Sequence, residues 1–246
     1  MFGSATPKIL GAVFLAMCVG APATAQDDVS LTELVEAWLD SPHGDYWSES
    51  FTHWHEDGEV PENCAACHSG PGFIDYVGGD GTAAGVVDHP APIGVPVDCA
   101  ACHNTAAEEL DTVSFPSGEE VSGLGSSTAC MVCHQGRQST DSVNAAVAGV
   151  AEDTVDTELA FVNIHYRASA ATLLGATVRG GYQYPDKSYA GRFNHVPSAN
   201  TCATCHDPHT TEVAADGCLA CHQGVDDLRD IRTRHQDFDG DGDTAE

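Results

Sequence analysis

The stretch Cys202-Ala203-Thr204-Cys205-His206 has the spacing C-x-x-C-H, and four further boxes with this spacing occur in the chain. Two thiols three positions apart can form thioether bonds with the two vinyl groups of one porphyrin, and the adjacent imidazole can then bind the iron. The boxes therefore predict five c-type haems. The cysteines predicted to carry them are Cys64, Cys67, Cys99, Cys102, Cys130, Cys133, Cys202, Cys205, Cys218 and Cys221. The predicted proximal iron ligands are His68, His103, His134, His206 and His222.

Two other uses of cysteine fit the pattern less well. Of the 11 cysteines, only Cys18 lies outside the boxes. A disulfide scaffold would not require a histidine after every second cysteine. Zinc ribbons also use paired C-x-x-C units, but without that requirement. The pattern favours haem over both.

The N-terminus has the features of an export signal. Lys8 precedes an apolar run from Ile9 to Val19 and the small-x-small site Ala23-Thr24-Ala25. The run is too short to span a bilayer. We predict a signal peptide over 1–25, no transmembrane segment, and a periplasmic, extracellular or cell-surface location.

The chain is strongly acidic, with 37 acidic residues against 9 Lys and Arg and a formal net charge of -28. Such a surface repels nucleic acid and anionic lipid and steers basic proteins or metal cations toward it. A solvated acidic coat suited to salty surroundings is the alternative. We expect redox partner proteins or an extracellular acceptor, and no nucleic acid.

Helix signals are few. Ser30 and Glu33 form a capping box that predicts a helix through Leu39. Two more helices are predicted over 142–150 and 157–174, the second ending at Gly175.

The segment 69–129 is rich in Gly, Pro, Asp and Ser, which predicts loops and turns instead of sheets or long helices. We therefore expect a mainly α and irregular fold with little β-sheet, whose core is built around covalently bound haems. The box spacing suggests an N-terminal lobe over 26–145 with haems one to three and a C-terminal lobe over 146–246 with haems four and five. One continuous domain is the alternative.

The ligand on the second side of each iron distinguishes a carrier from an enzyme. Residues 26–246 contain one methionine, Met131, and it lies between the two cysteines of the third box. Methionine ligation of a haem iron is therefore nearly excluded. We expect bis-histidine, low-spin, low-potential haems. The candidate distal ligands are His165, His195, His209, His53, His55 and His89. His43 and His235 are expected to lie mostly in solvent.

Two of these candidates have specific arguments. On the predicted helix 157–174, His165 shares a face with Phe161 and small residues, which would let a porphyrin approach. A core histidine bonded to a backbone carbonyl is the alternative. His209 follows His206 by three residues on the same side of that haem, so we expect it to reach a neighbouring haem. An exposed loop histidine is the alternative.

The acidic tail contains a partial calcium motif. Asp237, Asp239 and Asp241 match the first half of a D-x-D-x-D-G loop, and the acid expected at position twelve would fall past Glu246. An acidic disordered tail, or a chain cut from a longer parent, are the alternatives.

Several stretches resemble one branch of multihaem c-type cytochromes, which are exported electron carriers of respiratory bacteria. They are Phe115-Pro116-Ser117-Gly118, Cys130 to Arg137, Asn163-Ile164-His165-Tyr166-Arg167 and Cys202 to His209. The resemblance implies electron transfer in anaerobic or extracellular respiration, and it favours an electron carrier over an enzyme while leaving enzyme activity open. An oxidoreductase with one open haem for a small nitrogen or sulfur substrate is the first alternative, although the lysine box of cytochrome c nitrite reductases is absent. A subunit of a cytochrome filament or other homo-oligomer is the second.

Overall fold

The structure, a computed structural model, describes residues 29–151, 153–225, 227–231 and 242. The signal peptide, His235 and the tail residues Asp237, Asp239 and Asp241 lie outside the described residues. The expectations for them stay predictions.

Short helices joined by turns and loops make up the described chain, together with two small sheets. The helices are α1 Leu31–Leu39, α2 Glu49–Thr52, α3 Glu62–His68, α4 Gly70–Tyr76, α5 Cys99–Cys102, α6 Thr105–Glu108, α7 Ser127–His134, α8 Thr140–Ala146, α9 Ser169–Leu174, α10 Cys202–Cys205 and α11 Ala215–Leu219. The strands are β1 Glu59–Val60, β2 Ala91–Pro92, β3 Thr112–Ser114 and β4 Glu120–Ser122, paired antiparallel as β1–β2 and β3–β4. The prediction of a mainly helical and irregular fold with little sheet is thus confirmed. The expectation that the core is built around haem stays a proposal. None of the helices in the described part has the length and apolar character needed to cross a bilayer.

Each box begins on a helix. Both cysteines of the first four boxes lie on α3, α5, α7 and α10, and α11 contains Cys218, the first cysteine of the fifth. Residues three apart on a helix are surface neighbours, so each of these four helices presents its two thiols on one side. That is the arrangement that attachment to one porphyrin requires.

The capping box at the start of α1 is confirmed. Ser30 Oγ accepts the Glu33 N–H at 3.3 Å, and Glu33 Oε2 accepts the Ser30 N–H at 2.7 Å. Near the other end of this helix, the Trp38 indole N–H donates to the Val97 carbonyl at 2.9 Å. The helix is therefore docked on the segment that leads into the second box.

The third box lies at the centre of the main core. Met131 and Val132 of α7 are buried, and this helix packs against α3, α9, α10 and β3. Ser127 Oγ accepts the Cys202 N–H at 3.0 Å, which joins α7 to the start of the fourth box. Core residues come from both predicted lobes, including Phe73 and Leu174. The two-lobe division stays a prediction.

The helix predicted over 157–174 is wrong for most of its length. Only Ser169–Leu174 is helical, ending at Gly175 as predicted. His165 and Arg167 have φ values of 82° and 53°, a left-handed backbone that cannot continue a right-handed helix. The Ile164 carbonyl instead accepts the Arg137 N–H at 2.9 Å, so this loop is bonded to the residues that follow the third box.

Two further expectations need correction. The helix predicted over 142–150 is Thr140–Ala146, because the Ser139 side chain caps its N-terminus. The segment 69–129 was expected to lack sheets, yet β2, β3 and β4 lie within it. These strands form because Ala91 and Val113 each bury a side chain in a core cluster.

Candidate haem-binding site

Three box histidines are held by their backbone surroundings in one tautomer. His68 Nδ1 lies 2.8 Å from the Ser50 carbonyl oxygen and His134 Nδ1 lies 3.0 Å from that of Arg167. His206 Nδ1 lies 3.1 Å from the Thr211 carbonyl oxygen. A carbonyl oxygen only accepts, so each Nδ1 must carry the proton and each Nε2 keeps its lone pair. A neutral imidazole oriented in this way is what metal ligation by Nε2 requires.

Four box histidines have a second imidazole close by. The ring pairs, with their centroid separations, are His68–His165 at 5.8 Å, His134–His43 at 6.3 Å, His103–His209 at 6.2 Å and His222–His195 at 6.1 Å. With metal–nitrogen bonds of about 2 Å and about 1.2 Å from nitrogen to ring centroid, two imidazoles on opposite sides of one metal ion have centroids about 6.4 Å apart. The observed separations are close to this distance.

The sequence-predicted candidates divide into two groups. His165, His195 and His209 each lie opposite a box histidine, as the pairs above show. In the described part of the chain, no ring contact joins His53, His55 or His89 to a box histidine, although His53 adds to the effect of burial in lowering the pKa of His68. His53 instead packs edge-on against Trp54 and lies 3.4 Å from Glu49 Oε1.

His43 is the ligand candidate that sequence reasoning missed. It was expected to lie mostly in solvent, but it is half-buried with its ring against His134. Burial lowers the pKa of His43, and burial likewise lowers the pKa values of His68 and His165. Lower pKa values favour the neutral imidazole that can bind a metal.

The fourth box differs from the others. Among the described residues, no second histidine ring lies against His206, whose Nδ1 is nevertheless held by Thr211. His235, which lies outside the described residues, is the remaining histidine of the chain without a described position.

The boxes also contact one another through their thiols. The Cys67 thiol donates to the Val132 carbonyl at 3.9 Å, and the Cys133 thiol donates to the Ala66 carbonyl at 3.5 Å. The neighbouring Cys130 thiol lowers the pKa of Cys202 to about 5. The first box therefore lies against the third, and the third against the fourth, with all ten described cysteines unbridged by disulfides.

The surroundings of the paired histidines suit a large apolar group with acidic substituents. A cavity of about 560 Å³ is lined by His165, Phe161 and Arg137, among others. Phe161 is 87% exposed, and Phe193, close to His195 in sequence, is 80% exposed. Exposed aromatic side chains beside a ligand pair are surfaces that a bound porphyrin could cover. The Arg137 guanidinium is a suitable partner for a propionate.

No family model matches the chain, and no solved structure matches it. One curated protein does: a C-type polyheme cytochrome, OmcC, of Geobacter sulfurreducens, is 32% identical over 151 residues. The match supports a relationship to multihaem c-type cytochromes. It covers 50% of this chain and 18% of the Geobacter protein, so the chain corresponds to a small part of that relative's length.

This relationship and the site geometry are consistent with each other. The relative is named as a polyhaem c-type cytochrome, and the binding of haem c and electron transport by this chain are proposals. The thiol pairs on the box helices and the free Nε2 of His68, His134 and His206 fit that cofactor. The number of haems and their ligands are proposals.

Proposed function

We propose that the chain is an electron-transfer protein that binds five c-type haems. The observation that carries the proposal is the set of four box histidines that each face a second imidazole, with 5.8 to 6.3 Å between ring centroids. Haem iron supplies one-electron redox chemistry when bound. The ten box cysteines would form the thioether bonds, and the five box histidines would be the proximal ligands.

The distal ligands in this proposal are His165 for the first box, His209 for the second, His43 for the third and His195 for the fifth. They cross between segments: His43 precedes the first box but faces the third, and His165 follows the third but faces the first. His209 likewise follows the fourth box and faces the second. The cofactors of the first three boxes would therefore tie together chain segments that are distant in sequence, which favours closely spaced redox centres in a rigid arrangement.

Histidine on both sides of the iron favours low potentials, because methionine ligation is what raises the potential of cytochrome c haems. The acidic surface favours a basic redox partner protein or a metal-containing extracellular acceptor. The proposal also includes an export signal over 1–25 and a periplasmic or extracellular location. It further includes an N-terminal lobe that ends at residue 145, a C-terminal lobe that begins at residue 146, and a calcium site at Asp237, Asp239 and Asp241.

A second function, an oxidoreductase with one open haem, rests on His206. In the described part of the chain this residue lacks a second histidine, so the iron of the fourth box could bind a small molecule. His235 or a histidine of another copy in a filament would close the same position. Nitrite or cyanide added to the oxidised protein separates these cases, because a spectral change at one haem supports the open site.

The proposed function is tested by intact mass and by EPR of the purified, oxidised protein. We expect the mass of the chain from Gln26 plus five covalent haems, and EPR signals that are low-spin for at least four of them. A mass that indicates disulfides and no haem would end the proposal. Five haems that are all high-spin would leave covalent attachment standing and refute the histidine pairs.

A further inference from the structure

A second cluster of metal-ligating side chains lies away from the histidine pairs. Asp75, Asp88 and His89 each offer a ligand atom, and these atoms all lie within 4.8 Å of one another. His89 Nδ1 is 3.3 Å from Asp75 Oδ2 and in close contact with Asp88 Oδ1. For comparison, ligands at about 2.0–2.1 Å from a tetrahedral zinc ion are about 3.3–3.4 Å apart.

Asp75 is an unusual position for a carboxylate. It lies on α4, and only 4% of its side chain is exposed. Thr82 Oγ1 donates to Asp75 Oδ1 at 3.2 Å, and the Asp88 N–H donates to Oδ2 at 3.2 Å. Burial of an ionised carboxylate is costly unless a positive group offsets it. Among the described residues, Asp75 forms no ion pair with Lys or Arg, and His89 is its basic neighbour.

The charge around His89 is correspondingly negative. Its Nδ1 faces both Asp75 and Asp88, although one N–H proton can satisfy only one acceptor fully. Asp80 is close enough to add to the negative potential at His89. A divalent cation would neutralise the two carboxylates and take the place of that shared proton.

We propose that Asp75, Asp88 and His89 bind one divalent first-row transition-metal ion, with Zn²⁺ as the representative. Two carboxylate oxygens and one imidazole nitrogen match the borderline preference of zinc, whereas calcium prefers oxygen ligands alone. The side chain of His89 is 64% exposed, so water can reach the bound ion and occupy a fourth coordination position. The ion would fasten the loop that precedes the second box to the buried face of α4. His89 is then a ligand of this ion and not of a haem.

The test uses the full haem-loaded chain, stripped with a chelator and dialysed against Zn²⁺ alone at an ionic strength of about 0.15 M, where weak surface binding is screened. The zinc-to-iron ratio is measured for the unmodified chain, Asp75→Asn, His89→Ala and Asp57→Asn. Asp57 is exposed, so its variant removes one acidic charge outside the cluster. His89→Ala alters an exposed side chain and serves as the second variant if Asp75→Asn folds poorly.

We expect one zinc ion more per chain in the unmodified protein and Asp57→Asn than in Asp75→Asn and His89→Ala. The affinity of that ion should fall by more than about tenfold, the loss that even outer-shell changes at metal sites cause. Visible and EPR spectra should be the same in all four proteins. Equal zinc in all four would overturn the site, and so would a high-spin haem in His89→Ala, because His89 would then be a haem ligand.

Discussion

The imidazole of His209 lies nearly parallel to that of His103, with 6.2 Å between ring centroids and 13° between ring planes. His209 belongs to the segment that directly follows the fourth box, and His103 closes the second box. The pair therefore joins two boxes that are far apart in the chain. A haem between these rings would be anchored by its own cysteines on α5 and by the loop after α10.

Replacement of His209 by alanine should convert one haem in five from low-spin to high-spin, because the iron of the second box would lose its sixth ligand. EPR and visible spectra of the oxidised protein measure the change. His53→Ala is the matched control, since the His53 ring packs against Trp54 and forms no ring pair with a box histidine in the described structure. A spectrum that stays fully low-spin in His209→Ala would remove this residue from the ligand set.

Asp207 should hold His209 in position. Its Oδ1 accepts the N–H groups of His209 at 2.9 Å and Thr210 at 2.8 Å. Asp207→Ala removes these bonds and should raise the high-spin fraction of one haem, whereas Asp207→Asn keeps an acceptor oxygen and should leave that fraction nearly unchanged. An equal effect of both variants would mean that the carboxylate charge, and not the turn, matters.

The same turn gives a pH prediction. The hydrogen bond from the Thr210 N–H lowers the pKa of Asp207 below 3.8. Because the pKa of Asp207 is lower in the folded than in the unfolded chain, its ionised carboxylate stabilises the folded state above pH 3.8. This stabilisation is lost as the pH falls through the pKa that Asp207 has in the folded chain. In the unmodified chain, the haem of the second box should therefore stay low-spin from pH 8 to pH 5, with no increase in the high-spin EPR signal. A rise within this range in the unmodified chain, absent from Asp207→Asn, would contradict the assignment.

Local patterns predicted the local structure well. The five boxes and the Ser30 capping box each depend on residues within one helical turn, and the structure places box cysteines on short helices and confirms the cap. His165 shows where this approach fails. Its apolar periodicity indicated a helix, but the segment gains more by bonding the Ile164 carbonyl to Arg137 across the core, with a left-handed backbone at His165.

Pairings between distant segments could not be predicted from sequence. Nothing in the chain around His43 indicates that it faces His134, because that contact depends on where the turn after α1 lies relative to α7. The structure shows why the side chain of His43 is held in place. Gly44 leaves no space for a side chain, since a Cβ there would lie 2.2 Å from the Trp38 carbonyl oxygen. His43 is thus in a tight turn folded back on α1, which is more typical of a fixed side chain than of a solvated one.

His43→Ala should produce one high-spin haem, distinct from the one affected by His209→Ala, because His43 faces the third box. The double variant should then contain two high-spin haems, and spin quantitation by EPR measures the number. Gly44→Ala tests the turn without removal of the imidazole: the new Cβ must displace the turn, so we expect a partial high-spin signal. If His43→Ala has no spectral effect, the third box takes its ligand from elsewhere.

Gly72 should be essential for the packing of the first box. It lies on α4 against α3, where a Cβ would be 2.4 Å from the carbonyl oxygen of Ala65, a buried box residue. Such a contact is far below van der Waals distance and involves backbone, so the two helices must separate. Overpacking of this kind costs about 1–3 kcal/mol. For a chain of this size, Tm falls by about 2–4 °C per kcal/mol.

We therefore expect Gly72→Ala to lower Tm by several degrees and to reduce the yield of fully haem-loaded chain, measured by calorimetry and intact mass. The control is Gly181→Ala, because a Cβ at Gly181 meets nothing within 4 Å and its φ is not positive. That substitution should be neutral or slightly stabilising, since alanine restricts the unfolded chain more than glycine does. Equal Tm values for the two variants would show that α3 and α4 are not packed as the structure has them, and the position of His68 beside Ser50 and His165 would lose its support.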